Sequence, residues 1–305
     1  MGLNVGDIVA RKSYNHDVFF KVVEIINSET GETKAKLRGL DVRLFADSPL
    51  EDLVKVEGEH IREYRRRFIN KNNECLRKIF ARRVKQQAVN VIQENSKLPR
   101  GFFELPGRVL HIDGNLEYLK LCMAVYEQMG IKARGIHIPE DEQPAAVPEL
   151  LNSSKPDILV LTGHDGIIKS TEAVSDLNNY HNSKYFVEGV KAAREIECDM
   201  DNLIIFAGAC QSYYEALLSA GANYASSPRR VFIHAFDPVY IAEKIAFTHI
   251  SQTISINEVI DSTITGTDGL GGIETRGKYR KGFPKSPYLS QTGEVEYNGM
   301  SLPKG

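Results

Sequence analysis

DILVLTGHDG (residues 157–166) and LIIFAGACQS (residues 203–212) decide the fold. Each opens as an unbroken apolar run and closes on a glycine next to a chemically active side chain. A strand with one face in water alternates apolar and polar residues, whereas a strand covered on both faces need not. These two do not alternate. Working outward, RVLHIDG (108–114), KARGIHI (132–138) and RVFIHAFDP (230–238) read as further strands. Between them lie helical stretches: 116–130, a segment around 147–152, 184–196, 213–221 and 239–247. Strand and helix alternate five times, which predicts an α/β fold with a doubly wound, mostly parallel sheet over residues 104–290.

The flanks have a different texture. Residues 1–57 hold short Val-, Ile- and Phe-rich runs broken by glycine and polar turns, the pattern of a small all-β, SH3-like barrel. Residues 58–103 form a basic helical linker: from 59 to 100 there are 12 Lys and Arg against 4 Asp and Glu. No aromatic–glycine RNA-binding signature accompanies that charge, so it reads as a solvated helix and nucleic acid is not an expected partner. Residues 291–305 read as a tail.

Composition sets outer limits. Of 305 residues, 42% are hydrophobic and 26% charged, so an ordinary packed core is expected. No run approaches a membrane span and the N-terminus lacks a secretory h-region, which predicts a cytoplasmic protein. The four cysteines (75, 122, 198, 210) contain no CxxC pair and no metal-ligand spacing, so neither disulfides nor a metal site is expected. DGLGGIETRG (268–277) lacks the strand–glycine–helix context of a nucleotide fingerprint and reads as a flexible loop, so no cofactor is expected.

In open parallel sheets, functional residues gather at the carboxyl ends of strands. Asp113, His164, Cys210 and Asp237 stand at those ends. Cys210 is expected at a helix start, where the dipole and a nearby imidazolium favour thiolate. Cys210 as nucleophile and His164 as acid–base partner is the chemistry this arrangement supports. The backbone N–H of Cys210 supplies one oxyanion donor, and Asp165 or Gly166 the second. Asp113 has three open roles: a pocket for a basic residue, an orienting group for His164, or a turn Asp before Gly114. Gln211 is a further substrate-binding candidate. Cys122 and Cys198 read as structural, and Cys75 sits among basic residues that could lower its pKa.

The order His then Cys, 46 positions apart, is similar to that of caspases, whose His lies about 50 residues upstream of the Cys. The blocks VGDIVARKSY, VRLFADS, LPGRVLHIDG, PDILVLTGHDG, FAGACQSYYEALLSAGANYASSP, HAFDPVYIAEKI and GLGGIETRG resemble the YabG family of sporulation-specific proteases. More remotely, the two strand-end motifs resemble the caspase, legumain and clostripain clan. That clan carries Gly directly after its catalytic His, where this chain has Asp165. The resemblance implies a caspase-like cysteine endopeptidase that processes spore coat and other spore proteins, in the mother cell or at the spore coat. A basic residue before the cut would suit Asp113, and Arg65-Arg66-Arg67 would then be a candidate self-cleavage site. A thiol amidohydrolase acting on small amides and a spore-coat scaffold protein are the competing readings.

Overall fold

The computed structural model describes residues 2–27, 33–94, 103–168, 174–282, 296–297 and 300–301. The expected tail, 291–305, falls almost wholly outside the described residues. Strands β1 (Ile8–Arg11), β2 (Phe19–Asn27), β3 (Thr33–Gly39), β4 (Phe45–Pro49) and β5 (Leu53–Lys55) form an antiparallel sheet in the order β4-β3-β2-β1-β5. Side chains two apart share a face of a strand, and Phe20 with Val22, and Ala35 with Leu37, accordingly enter one small core with Val9 and Leu53. The β3–β4 connection, residues 40–44, leaves this sheet and enters the larger part of the molecule.

Helix α1 (Gly58–Glu94) follows without a break over 37 residues. It is not simply solvated. Cys75, Leu76 and Ile79 enter the main core, and Arg82 and Arg83 both reach the fully buried carboxylate of Glu243. Arg65, Arg66 and Arg67 are exposed but helical, so a protease that takes extended chain would need the helix unwound there.

Beyond β6 (Phe103–Leu105) the expected alternation appears: β7 (Val109–Asp113), α2 (Leu116–Gln128), β8 (Ala133–His137), α3 (Gln143–Ser154), β9 (Ile158–Thr162), α4 (Ser183–Ile196), β10 (Ile204–Ala207), α5 (Tyr214–Ser219), β11 (Tyr224–Ser226) and α6 (Asp237–Ala246). After α6 come β12 (Thr253–Ile254), α7 (Ile256–Ile260), β13 (Leu270–Gly272), β14 (Thr275–Arg276) and β15 (Arg280–Gly282). The main sheet runs β13-β11-β10-β9-β7-β8, parallel from β8 to β11, with β13 antiparallel on the edge. Every residue of β7, β9, β10 and β11 is buried. Alternate residues serve two cores: Val109, Val160 and Phe206 face α2 and α6, and Leu110, Leu161 and Ile205 face α3 and α4.

Two expectations are corrected here. The fifth parallel strand is Tyr224–Ser226, not 230–238. Arg230 takes a left-handed φ of 57° and α6 begins at Asp237, which leaves 231–235 as an extended stretch outside the sheet. That stretch pairs instead with residues 41–43. Likewise 268–277 is not a loose loop, because Leu270–Gly272 closes the sheet edge against β11.

The Glu243 cluster generates a stability prediction. Glu243 has no exposed side-chain surface whereas Arg82 and Arg83 keep some, so the carboxylate is the member that cannot be left alone. Arg82→Ala with Arg83→Ala should cost about 3 kcal/mol in urea unfolding, more than Glu243→Gln, because an unpaired buried charge is the expensive outcome. Equal losses in both variants would contradict it.

Candidate active site

Strands β7, β9 and β10 lie side by side, and their exits lead to Asp113, His164 and Cys210. The Gly208 N–H still bonds to Leu161 O at 3.0 Å, so the chains bearing His164 and Cys210 leave the sheet together. Gly208 has a φ of 106°, and a Cβ there would fall 2.3 Å from Ser226 Oγ. Only glycine fits this exit.

His164 is held by a residue that the sequence reading missed. Glu140 Oε1 accepts the His164 backbone N–H at 2.7 Å and lies 3.2 Å from Nδ1 of the ring. Burial would raise the Glu140 carboxyl, but its bonds to His164 prevail and hold it below the usual range. A Cβ on Gly114 or Gly163 would strike the Glu140 carboxyl at 2.2 and 2.3 Å, so both glycines make room for it. Glu140 stands just past β8, where the same strand-end rule could have found it. The other ring nitrogen, Nε2, is buried and makes no hydrogen bond among the described residues.

Cys210 does not meet the expectation of an exposed thiolate at a helix start. Helix α5 begins only at Tyr214, and Cys210 lies in the preceding turn, fully buried. Its sulfur accepts the Ile233 N–H at 3.3 Å. Burial pushes the thiol up to about 12, although the Ile233 N–H and the Arg43 guanidinium and N–H pull the other way. Gln211, with a φ of 57°, sets its N–H on Ser227 Oγ at 2.9 Å and its side-chain oxygen beside Gly166.

The Asp165 carboxylate is buried and acts as an anchor. It accepts the Gly166 N–H at 2.9 Å, the Asn182 N–H at 2.8 Å, the Ser212 hydroxyl at 2.8 Å and the Ser183 hydroxyl. The Gly166 N–H is therefore already engaged. Asp237, the first residue of α6, is fully buried and ties that helix to residues 264–265, accepting the N–H groups of His234 and Ile264 and the Thr265 hydroxyl.

Asp113 is fully buried and accepts Arg43 Nη1 at 2.6 Å, Thr162 Oγ1 at 2.9 Å and the Asn115 N–H at 2.8 Å. Burial would raise its pKa, but the Arg43 guanidinium, with His111, holds it well below the usual carboxylate range. Arg43 comes from the β3–β4 connection and is itself fully buried. Two residues on, the Phe45 ring stands edge-on against the His164 ring, centroids 4.1 Å apart. The Tyr118 ring lies 5.9 Å from that of His164, and its hydroxyl bonds Gly39 O and Val42 O.

Two of the remaining cysteines, Cys75 and Cys122, are poor nucleophiles as placed. Burial pushes Cys122 up to about 12 and Cys75 up to about 11, so the basic neighbours of Cys75 do not prevail, and Cys198 is exposed. The raised Cys210 value has a checkable consequence. Thiolate grows about tenfold per pH unit below the pKa. Alkylation of Cys210 by iodoacetamide, followed by peptide mass mapping, should therefore keep climbing from pH 7 to 10. Levelling off near pH 8.5, as an ordinary free thiol does, would contradict burial of the sulfur.

The family model described as YabG peptidase U57 matches residues 4–284. The sporulation-specific protease YabG of Bacillus subtilis (strain 168) is 44% identical over 299 residues, covering 93% of this chain and 99% of that protein. A match that runs through both sheets, the long helix and the strand ends carrying His164 and Cys210 establishes that the chain belongs to the YabG peptidase family.

Proposed function

We propose that this peptidase is a cysteine endopeptidase acting through Cys210 and His164 on spore coat and other spore proteins during sporulation, in the mother cell or at the spore coat. One observation carries the reading. One piece of chain, residues 41–45, spans both strand ends: the Arg43 N–H is on Ile233 O, the Ile233 N–H is on the Cys210 sulfur, and Phe45 is on His164. The parallel order β8-β7-β9-β10-β11 with helices on both faces supports a caspase-like assignment of 104–290. The five-stranded antiparallel sheet supports an SH3-like one for 1–57, and the helix Gly58–Glu94 supports 58–103 as the linker.

In the mechanism, the Cys210 proton passes to His164 Nε2, the nitrogen left without a partner. The thiolate adds to the scissile carbonyl, and the imidazolium then protonates the departing amine. The resulting thioester is hydrolysed by a water that His164 deprotonates, which releases the carboxylate and restores the thiol. Glu140 orients the imidazole through Nδ1. Cys210 N–H is one oxyanion donor, and Asp165 N–H is favoured over Gly166 because the latter is bound to a carboxylate. Such donors contribute about 3 kcal/mol each to transition-state stabilisation.

Specificity rests on Asp113. A buried carboxylate that already holds a guanidinium at 2.6 Å would take an arginine side chain before the cut.

Cys210→Ala should abolish cleavage with an unchanged far-UV spectrum, and persistent activity would end the reading. Glu140→Gln should lower kcat by about ten- to a hundredfold with little change in KM, as expected for lost positioning rather than lost binding. Peptide-library cleavage mapped by mass spectrometry should show arginine before the cut. Asp113→Asn should erase that preference, and cuts lacking a basic residue in the parent would refute the pocket.

A further inference from the structure

Residues 41–45 do more than cover the site. The Arg43 N–H donates to Ile233 O at 3.4 Å, and Asp41 O accepts the Ala235 N–H at 2.9 Å, with Val42 bridged antiparallel to His234. This is the pairing by which an extended peptide adds to an exposed strand edge. The Arg43 side chain then drops out of sight. Nη1 meets Asp113 at 2.6 Å, while Nη2 and Nε reach Ala235 O at 3.2 and 3.3 Å. Ile233 joins the two halves of the picture, giving its N–H to the Cys210 sulfur and its carbonyl to Arg43. Backbone on a strand edge, guanidinium on a buried carboxylate and sulfur at the branch point together make a peptide seated in a cleft.

The segment is also held from outside. The Tyr118 hydroxyl lies 2.7 Å from Gly39 O and 2.6 Å from Val42 O, and the Tyr64 hydroxyl bonds the Asp41 carboxylate. After Arg43 the chain folds back, with the Leu44 N–H on Val42 O at 2.8 Å and the Gly39 N–H on Leu44 O at 2.8 Å. The bond after Arg43 thus sits in a tight turn and not in the extended form that proteases cleave.

Resting on the assignment of Cys210, His164 and Asp113 above, we propose that the Asp41–Phe45 segment is a built-in substrate mimic. It occupies the cleft in cis and keeps the peptidase closed, and substrate enters only when the segment lifts away. The occupant it excludes is a peptide of the same chemistry, an extended chain ending in arginine.

Binding separates this from the catalytic reading, because it can be measured on an inactive chain. In the full-length Cys210→Ala protein, a labelled acetyl-Leu-Asp-Val-Arg-amide peptide should bind weakly by fluorescence polarisation. Adding Arg43→Ala should tighten binding at least about tenfold, since the competent state is no longer a small fraction. In the chain that retains Cys210, Arg43→Ala should also speed its alkylation at pH 7.5 by a similar factor. Ethylguanidinium chloride should raise the melting temperature of Arg43→Ala and not that of the parent, by refilling the cavity beside Asp113. If Arg43→Ala does not fold, Tyr118→Phe decides, since it keeps the ring and Arg43 but removes the hydroxyl contacts to the segment. It should move binding and alkylation in the same direction by a smaller factor. Unchanged peptide affinity and unchanged alkylation in a folded variant would overturn the mimic. Cleavage surviving in Cys210→Ala would overturn the catalytic assignment instead.

Discussion

Two opposite charges with no exposed surface, Arg43 and Asp113, meet at 2.6 Å in the middle of this molecule. Isolated burial of either would cost several kcal/mol, so each requires the other. Their satisfaction is nearly complete. The guanidinium reaches Asp113, Ala235 O and the Cys122 sulfur, while the carboxylate also takes Thr162 and the Asn115 N–H. The pair links the β3–β4 turn, the end of β7 and the stretch before α6, three pieces that share no sheet. It therefore fixes how the small antiparallel sheet sits on the large parallel one, and with that what covers Cys210.

The rest of the site is shaped by space as much as by charge. Glu140 can reach His164 only because residues 114 and 163 have no side chains, and the exit toward Cys210 can bend only because residue 208 has none. These glycines do different work from the flexible turns that glycine usually marks. At 114 and 163 the constraint is room for a carboxylate, and at 208 it is a positive φ against Ser226. Asp165 adds rigidity by tying four donors from three segments around the base of the cleft.

Much of this was legible along the chain, and the limits follow from what kind of information each feature carries. The parallel sheet was readable because continuous apolar runs such as 158–161 and 204–207 announce burial on both faces locally. The strand-end rule then led to His164 and Cys210. It failed at 230–238, where an apolar run forms an extended segment whose partner, residues 41–43, is almost two hundred positions away. Nothing local distinguishes that pairing from sheet pairing. Glu140 stands near a strand end too, but its acidic run, Glu140-Asp141-Glu142, resembles any solvated turn, and the room it needs comes from two distant glycines. Arg43 carries no local mark of its role, because a buried arginine shows itself only with its carboxylate. The upward push on the Cys210 thiol is illegible for the same reason, since a helix dipole can be inferred from neighbours but burial by a distant segment cannot.

The lid has a quantitative meaning that does not depend on how it opens. A segment tethered a few residues from its own sheet has an effective concentration at the cleft in the millimolar range for short linkers. A free peptide making the same contacts faces that concentration as a competitor at all times. Strong contacts by the tethered arginine thus weaken every external substrate by a common factor, without altering the chemistry that follows entry. Selectivity then belongs to proteins that supply more than one arginine, such as those that also displace the small sheet from Tyr118 or Tyr64. On the proposed assignment of Cys210 and His164, the antiparallel sheet is then the element that decides when the sulfur meets a substrate, and the strand ends decide only what happens next.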